Sequence, residues 1–156
     1  MSNRILVALA ATAILVAGGG TAIAGECPVG QTLTKARDLA DAPDIGVDRP
    51  ILSTVDLTGW RGMGNFMLRL RKLTIAPHGV VPTHAHNDRP SIVHIVEGEI
   101  VEHNAFCAVP IIHKPGDTTP ESGAGHIHWW ENTTDKPVVI FSTDVVPFEK
   151  QKESMM

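Results

Sequence analysis

The chain has 156 residues, which is enough for one domain with a hydrophobic core of its own. Its formal net charge is −4 at pH 7 and it contains no block of basic residues. This charge pattern argues against nucleic acid as a partner.

Residues 1–24 have the features of a secretory signal peptide. The positive start Asn3-Arg4 precedes an apolar run from Ile5 to Ala17, and Ala22-Ile23-Ala24 forms an A-x-A cleavage site. The run is shorter than the roughly 20 residues of a membrane span. We therefore expect cleavage after Ala24, a periplasmic or secreted protein, and no stable membrane span afterwards. An uncleaved anchor is the alternative.

The segment 25–50 is polar and punctuated by prolines, and we interpret it as an N-terminal arm before a barrel at 51–148. Residues 149–156 are interpreted as a frayed tail. Cys27 in the arm and Cys107 in the barrel would both meet an oxidising compartment after export, where only one intramolecular pairing is possible. The sequence therefore predicts a disulfide that fastens the arm to the barrel, with two separate thiols as the alternative.

After the arm, short β-prone segments are separated by Gly, Pro, Asn and Asp, at the spacing typical of an all-β sandwich or barrel. Turn signals stand at Glu97-Gly98, at Pro115-Gly116-Asp117 and at 132–135. Eight short strands without a helical core predict a small double-sheet jelly roll. We place these strands near residues 52–56, 66–76, 81–86, 91–96, 99–104, 109–113, 125–131 and 137–146.

Four histidines form two His-x-His pairs, His84-Ala85-His86 and His126-Ile127-His128. Residues i and i+2 point to the same face of a strand, so each pair aims two imidazoles in one direction. Neutral imidazole is the commonest metal ligand among side chains. If the two strands lie side by side, the pairs therefore predict a metal site.

Two stretches of the chain resemble the motifs of the cupin superfamily, in its single-domain, conserved-barrel form. Residues Gly79 to Gly98, which include His84-Ala85-His86, are similar to the first motif. Residues Pro115 to Asn132, in which His128 stands four positions before Asn132, are similar to the second. The likeness covers about residues 65–147 and implies a double-stranded β-helix barrel.

In metal-binding cupins the first motif supplies two histidines and a glutamate, and the second supplies one histidine. Carried over to this chain, the resemblance makes His84, His86 and His128 the metal ligands, but the glutamate position falls on Ser91. Two completions stay open. Three histidines with water would be similar to the thiol dioxygenase branch of cupins, and His126 could instead supply a fourth nitrogen. Otherwise His126 is the candidate for acid–base catalysis beside the metal.

A neutral ligand set would leave the full charge of the metal in the pocket and favour a small anionic substrate. Imidazole-rich ligation suits iron, nickel or zinc better than magnesium or calcium. The resemblance puts Fe(II) first among the divalent metals, with Mn, Ni and Zn as alternatives, and it makes a homodimer the default assembly.

The sequence and the resemblance together predict an exported mononuclear metal-binding cupin, most simply a metal-dependent oxygenase of the dioxygenase type acting on a small anionic substrate. One alternative is a non-catalytic periplasmic cupin that binds or senses a metal or a small ligand. Another is a non-redox metal-dependent isomerase or hydrolase.

For other side chains around the motifs, the sequence leaves the orientation or the role open. Arg69 and Arg71 alternate along the strand before the first motif. On the pocket face they would clamp a substrate carboxylate, and on the other face they would be solvated charges. Alternation places Trp130 on the side of His128, where we expect it to pack in the core; walling the cavity is the alternative. We expect His113 to lie at the surface, at a strand end.

Overall fold

The computed structural model describes residues 26–148, so the predicted signal peptide and C-terminal tail lie outside the described residues. One 3-10 turn, Trp60–Gly62, is present in this range. The described strands are β1 (Ile45–Asp48), β2 (Ile51–Asp56), β3 (Phe66–Ala85), β4 (Ser91–Glu97), β5 (Ile100–Asn104), β6 (Ile111–His113), β7 (Thr118–Glu121), β8 (Ile127–Glu131) and β9 (Val138–Pro147).

The strands form one antiparallel sheet in the order β6-β5-β8-β3-β9-β4-β7, with β1 and β2 also paired to β3. The first half of β3 pairs with β2 and β9, its second half pairs with β8, and β1 pairs with β3 on both sides of the bend between the halves. The sheet therefore curls into two halves that share β3. The predicted all-β barrel is confirmed.

A bend at Pro77-His78-Gly79 lets β3 serve both halves. His78 has φ 58°, in the left-handed region. A Cβ on Gly79 would lie 2.8 Å from Ile75 Cγ2 and 2.9 Å from the carbonyl oxygens of Ala76 and Ile45. Only glycine fits this close approach of three chain segments.

The hydrophobic core lies between the two halves of the sheet. Alternation along β3, β4 and β9 turns every second residue inward. The buried cluster combines these residues with two from the other half, Ile100 and Trp130. Its other members are Leu73, Ile75, Val93, Ile95, Val138 and Ile140.

Three features of the strand prediction were wrong. The segments 66–76 and 81–86 form one strand, because the bend at Gly79 keeps both parts in the ladder. Strand β1 lies inside the segment interpreted as an arm. Strand β7 was missed because it contains Pro120, which is tolerated there since β7 lies at the edge of the sheet.

Cys27 and Cys107 form a disulfide, with their Cα atoms 5.7 Å apart. Backbone hydrogen bonds from Leu33 to Phe106 and from Arg37 to Ala105 hold the same segment beside the turn after β5. The predicted fastening of the N-terminal segment to the barrel is confirmed. Between residues 26 and 148 there is no helix long and apolar enough to cross a membrane.

We expect Gly79→Ala to lower the free energy of unfolding by about 2 to 3 kcal/mol, the usual cost of overpacking. Two of the clashing atoms are backbone oxygens, so no side-chain rotation relieves the contact. Urea unfolding followed by tryptophan fluorescence measures the change. Gly64→Ala is the matched control, since its Cβ would meet only the Phe66 ring at 3.8 Å. Equal stability of the two variants would contradict this account of the bend.

Candidate metal centre

The two histidine clusters converge between β3 and β8. His84 and His128 are cross-strand partners, and His86 directly follows β3. The Nε2 atom of His128 lies 3.1 Å from that of His84 and 3.0 Å from that of His86. Three imidazole nitrogens from distant parts of the sequence thus face one another at the positions that the motifs predict.

Backbone carbonyls fix the tautomers of His84 and His86. The Nδ1 atom of His84 lies 2.8 Å from the Pro82 carbonyl oxygen, and that of His86 lies 2.9 Å from the Arg89 carbonyl oxygen. A carbonyl oxygen can only accept, so each Nδ1 carries the hydrogen and each Nε2 carries a lone pair.

Glu102 fixes the same arrangement in His128, with the hydrogen on Nδ1. Its Oε1 lies 2.8 Å from His128 Nδ1, and its Oε2 lies 2.8 Å from His113 Nε2. Trp130 Nε1 is 3.0 Å from the same Nδ1, but this nitrogen cannot donate to Glu102 and accept from Trp130 at once. The shorter contact to a buried carboxylate makes Nδ1 the donor. A carboxylate behind a histidine in this way is the usual support of a metal ligand.

Glu102 is ionised despite its burial. Burial raises its pKa, but the hydrogen bonds from His113 and His128 outweigh this and hold the pKa well below its usual range. His113 is itself fully buried and stacks on Trp130 with ring centroids 4.5 Å apart. The expectation that His113 lies at the surface was therefore wrong, because β6 turns it inward against Glu102 and Trp130.

The nitrogen atoms fit a divalent cation. Burial is the main cause that lowers the pKa of His84 to about 2 and that of His86 to about 3, so both rings are neutral at pH 7. Converging lone pairs repel one another unless a cation lies between them. Metal–nitrogen bonds of about 2.1 Å at right angles separate two nitrogens by about 3 Å, which matches the observed spacing.

A carboxylate also faces this cluster, from a residue that the sequence motif did not indicate. Glu121 Oε2 lies 3.3 Å from His86 Nε2, and Oε1 lies 3.8 Å from His128 Nε2. The Ser91 hydroxyl donates to Oε2 at 2.5 Å, and Ser91 and Glu121 are cross-strand partners. Burial raises the pKa of Glu121. The turn at 115–117 followed by a β-prone Thr-Thr was the sequence signal for the strand that carries it.

His126 occupies a different position from the other three histidines. Its ring centroid is 5.0 Å from that of His128, and its buried Nε2 has no hydrogen-bond partner among the described residues. It lines a second cavity beside Glu102 and Cys107, not the cavity that contains His84 and His86. Its acid–base role stays a prediction.

Glu102, His126 and His128 form a second group of three possible ligands. Both oxygens of Glu102 already accept hydrogen bonds, Oε1 from His128 and Asn104 and Oε2 from His113. Glu102 therefore orients His128, and the group of His84, His86 and His128 is the better candidate for a metal.

A cavity of about 200 Å³ opens beside the three histidines. His84, His86 and Glu121 contribute to its lining, and Trp130, which packs in the hydrophobic core as expected, also forms part of its wall. Apart from the polar Ser142, the other lining residues are apolar or cationic: Leu73, Val81, Pro82, Val93, Ile140, Arg49, Arg71 and Arg89.

The side chains of Arg69 and Arg71 are both buried inside the barrel and are not solvated surface charges. Arg69 binds Asp144 through Nε at 2.9 Å and a terminal nitrogen at 2.8 Å. Arg71 and Arg89 each reach the same carboxylate with one nitrogen, at 3.1 and 3.0 Å. Burial lowers the pKa of Arg71 to about 10. Three guanidinium groups thus share one buried carboxylate.

No family model matches the chain, and no curated protein matches it. Solved structures similar in fold include the Cupin_2 domain of an XRE-family transcriptional regulator from Enterobacter cloacae, with 15% identity over 65% of this chain and 98% of that one and a TM-score of 0.48. The Cnp3 cupin domain of Schizosaccharomyces pombe has 12% identity over 70% and 72%, with a TM-score of 0.49. KdgF from Halomonas sp. has 18% identity over 71% and 91%, with a TM-score of 0.49.

The described residues form a curled, antiparallel β-barrel. The two predicted motifs lie on β3–β4 and β7–β8, and their histidines meet across the β3–β8 pairing, as the resemblance given above implies.

Proposed function

We propose that this protein is a mononuclear metal-binding cupin in which His84, His86 and His128 bind one divalent cation. The observation that carries the proposal is the convergence of three Nε2 atoms. That of His128 lies 3.0 Å from that of His86 and 3.1 Å from that of His84, and the Nδ1 of each ring has a hydrogen-bond acceptor. The lowered pKa values of His84 and His86 give these two rings the neutral state that metal binding requires.

Glu121 is the fourth ligand in this proposal. It is buried next to two of the histidines. Burial removes the hydration that stabilises its negative charge, and attraction to a nearby cation would replace that stabilisation. Ser91 occupies the position where the family pattern has its glutamate, and its hydroxyl holds Glu121 from the neighbouring strand. Three imidazoles and a carboxylate suit Fe(II), Mn, Ni or Zn, and the resemblance favours Fe(II).

The reaction that we propose is metal-dependent oxygenation of a small anionic substrate. When bound, a redox-active metal such as Fe(II) supplies the electron transfer that O₂ chemistry needs. The chain supplies fixed ligands, a small cavity whose apolar walls exclude water, and cationic side chains that attract an anion. The signal-peptide features and the Cys27–Cys107 disulfide support a periplasmic or secreted site of action.

We expect the wild-type protein to bind one Fe(II) per chain and His84→Ala and His128→Ala each to bind it roughly tenfold or more weakly, because each variant loses one of few ligands. Elemental analysis after anaerobic loading of the metal-free protein measures this. His94→Ala is the control, since His94 is exposed and its Nδ1 contacts only the Thr118 hydroxyl. Full occupancy in either ligand variant would contradict the assignment.

Glu121→Gln keeps the size of the side chain but removes the charge, so we expect metal affinity to fall by about tenfold or more. Competition with a chromogenic chelator measures the affinity. Glu131→Gln is the matched control, because Glu131 contacts His103 away from the cluster. The double variant Ser91→Glu with Glu121→Ser returns the carboxylate to the family position and should recover most of the affinity. If Glu121→Gln binds metal as tightly as the wild type, Glu121 is not a ligand.

The iron-loaded protein is expected to consume O₂ when given a small thiol such as cysteine or a β-diketone such as acetylacetone, measured with an oxygen electrode. The same protein loaded with zinc is the control, because zinc is redox-inert. Iron that stays bound without oxygen uptake on either probe would favour the alternative of a non-catalytic metal-binding or sensing cupin.

A further inference from the structure

The buried charges around Asp144 are out of balance. Asp144 is fully buried and faces Arg69, Arg71 and Arg89, so these four side chains carry an excess of positive charge. Arg69 donates two hydrogen bonds to Asp144, one to each carboxylate oxygen. Arg71 and Arg89 each spend one nitrogen on Asp144 and keep other donors for a further acceptor.

Arg71 has a donor without an acceptor. Its side chain is 10% exposed, and its Nε is buried without a hydrogen-bond partner among residues 26–148. An unsatisfied buried donor is costly, and more so on a charged group. Arg71 and Arg89 both line the cavity beside the three histidines. The Nε atom of Arg71 is itself covered, but the guanidinium groups of Arg71 and Arg89 keep further donors on residues that line the space where a substrate would bind.

The size and the walls of the cavity indicate which anion fits. Its volume of about 200 Å³ is below the roughly 300 to 1,000 Å³ of sites for drug-sized ligands. Leu73, Val93 and Ile140 form apolar walls, which suit a hydrocarbon portion better than an inorganic ion. A planar guanidinium matches the two oxygens of a carboxylate.

We propose that Arg71 and Arg89 form a subsite for the carboxylate of a small organic acid. The carboxylate accepts hydrogen bonds from the two guanidinium groups, and the rest of the acid extends along the apolar walls toward His84 and His86. This inference rests on the proposed function, because it names the substrate class of the same cavity. The third arginine of the lining, Arg49, is already paired with Asp44 at 2.6 and 2.7 Å and is not part of the subsite.

The test is titration of the full chain, both metal-free and metal-loaded, with butyrate, with its neutral analogue butyramide and with inorganic phosphate, followed by NMR or calorimetry. We expect butyrate to bind at least tenfold more tightly than butyramide or phosphate. Arg71→Gln and Arg89→Gln should each weaken butyrate binding by about 10- to 100-fold while leaving the metal content unchanged.

Lys72→Gln is the charge-matched control, since Lys72 is the neighbour of Arg71 on β3 and alternation turns it away from the interior. It should bind butyrate like the wild type. Equal binding of butyrate and butyramide, or unchanged binding in Arg89→Gln, would overturn the subsite. Phosphate that binds as tightly as butyrate would overturn the assignment to carboxylates. Arg89 is more exposed than Arg71, so its variant carries the test if Arg71→Gln does not fold.

The measurements separate this inference from the proposed function. Butyrate binding that persists in metal-free protein and in His84→Ala supports the subsite even if the metal assignment fails. Metal binding without preference for butyrate leaves the metal centre intact and rejects the subsite.

Discussion

The continuity of β3 through its bend is the constraint on which the site depends. A single strand of 20 residues places Arg69 and Arg71 in one half of the barrel and His84 in the other. Because the two parts of this strand are each anchored by their own ladder, one to β9 and one to β8, Arg71 and His84 are held at a fixed separation along one chain segment. Gly79 makes this possible, since any larger residue would meet backbone oxygens at the bend. Arg71 and His84, which both line the cavity, are thus fixed by the same strand.

The interior of the barrel contains three buried carboxylates among the described residues, and each faces cationic or imidazole groups. Asp144 faces arginines, Glu102 faces His113 and His128, and Glu121 faces His86 and His128. The hydrogen bonds to Glu102 keep it ionised, whereas burial dominates at Glu121 and raises its pKa. This difference distinguishes the two carboxylates. Glu102 already accepts several hydrogen bonds and is suited to orient His128, whereas the charge of Glu121 is less stabilised by its neighbours and is suited to bind a cation.

Much of the barrel and the histidine triad could be predicted from the sequence, because both depend on local patterns: alternation, turn residues and the spacing of two His-x-His pairs. The role of Glu121 could not, because its position is set by the pairing of β4 with a short proline-containing edge strand. The facing of Arg69 and Arg71 was open for a related reason, since the bend made the parity of β3 uncertain. His113 was misplaced because its burial comes from Glu102 and Trp130, which contact it only in three dimensions.

The exchange of roles between Ser91 and Glu121 also changes the electrostatics of the cavity. Cross-strand partners have Cβ atoms only about 5 Å apart, so a carboxylate on either strand can reach the same centre without a change of fold. With Glu121 as a ligand, a divalent cation leaves one net positive charge at the centre, whereas the neutral set expected from the sequence leaves two. Attraction of an anion then depends less on the metal and more on the arginines. Their positive charge exceeds the single negative charge of Asp144, and this excess would attract the anion. In the proposed site, the acidic ligand missing from the first motif is thus supplied in space by Glu121, and the arginines recognise the charge of the substrate apart from the metal.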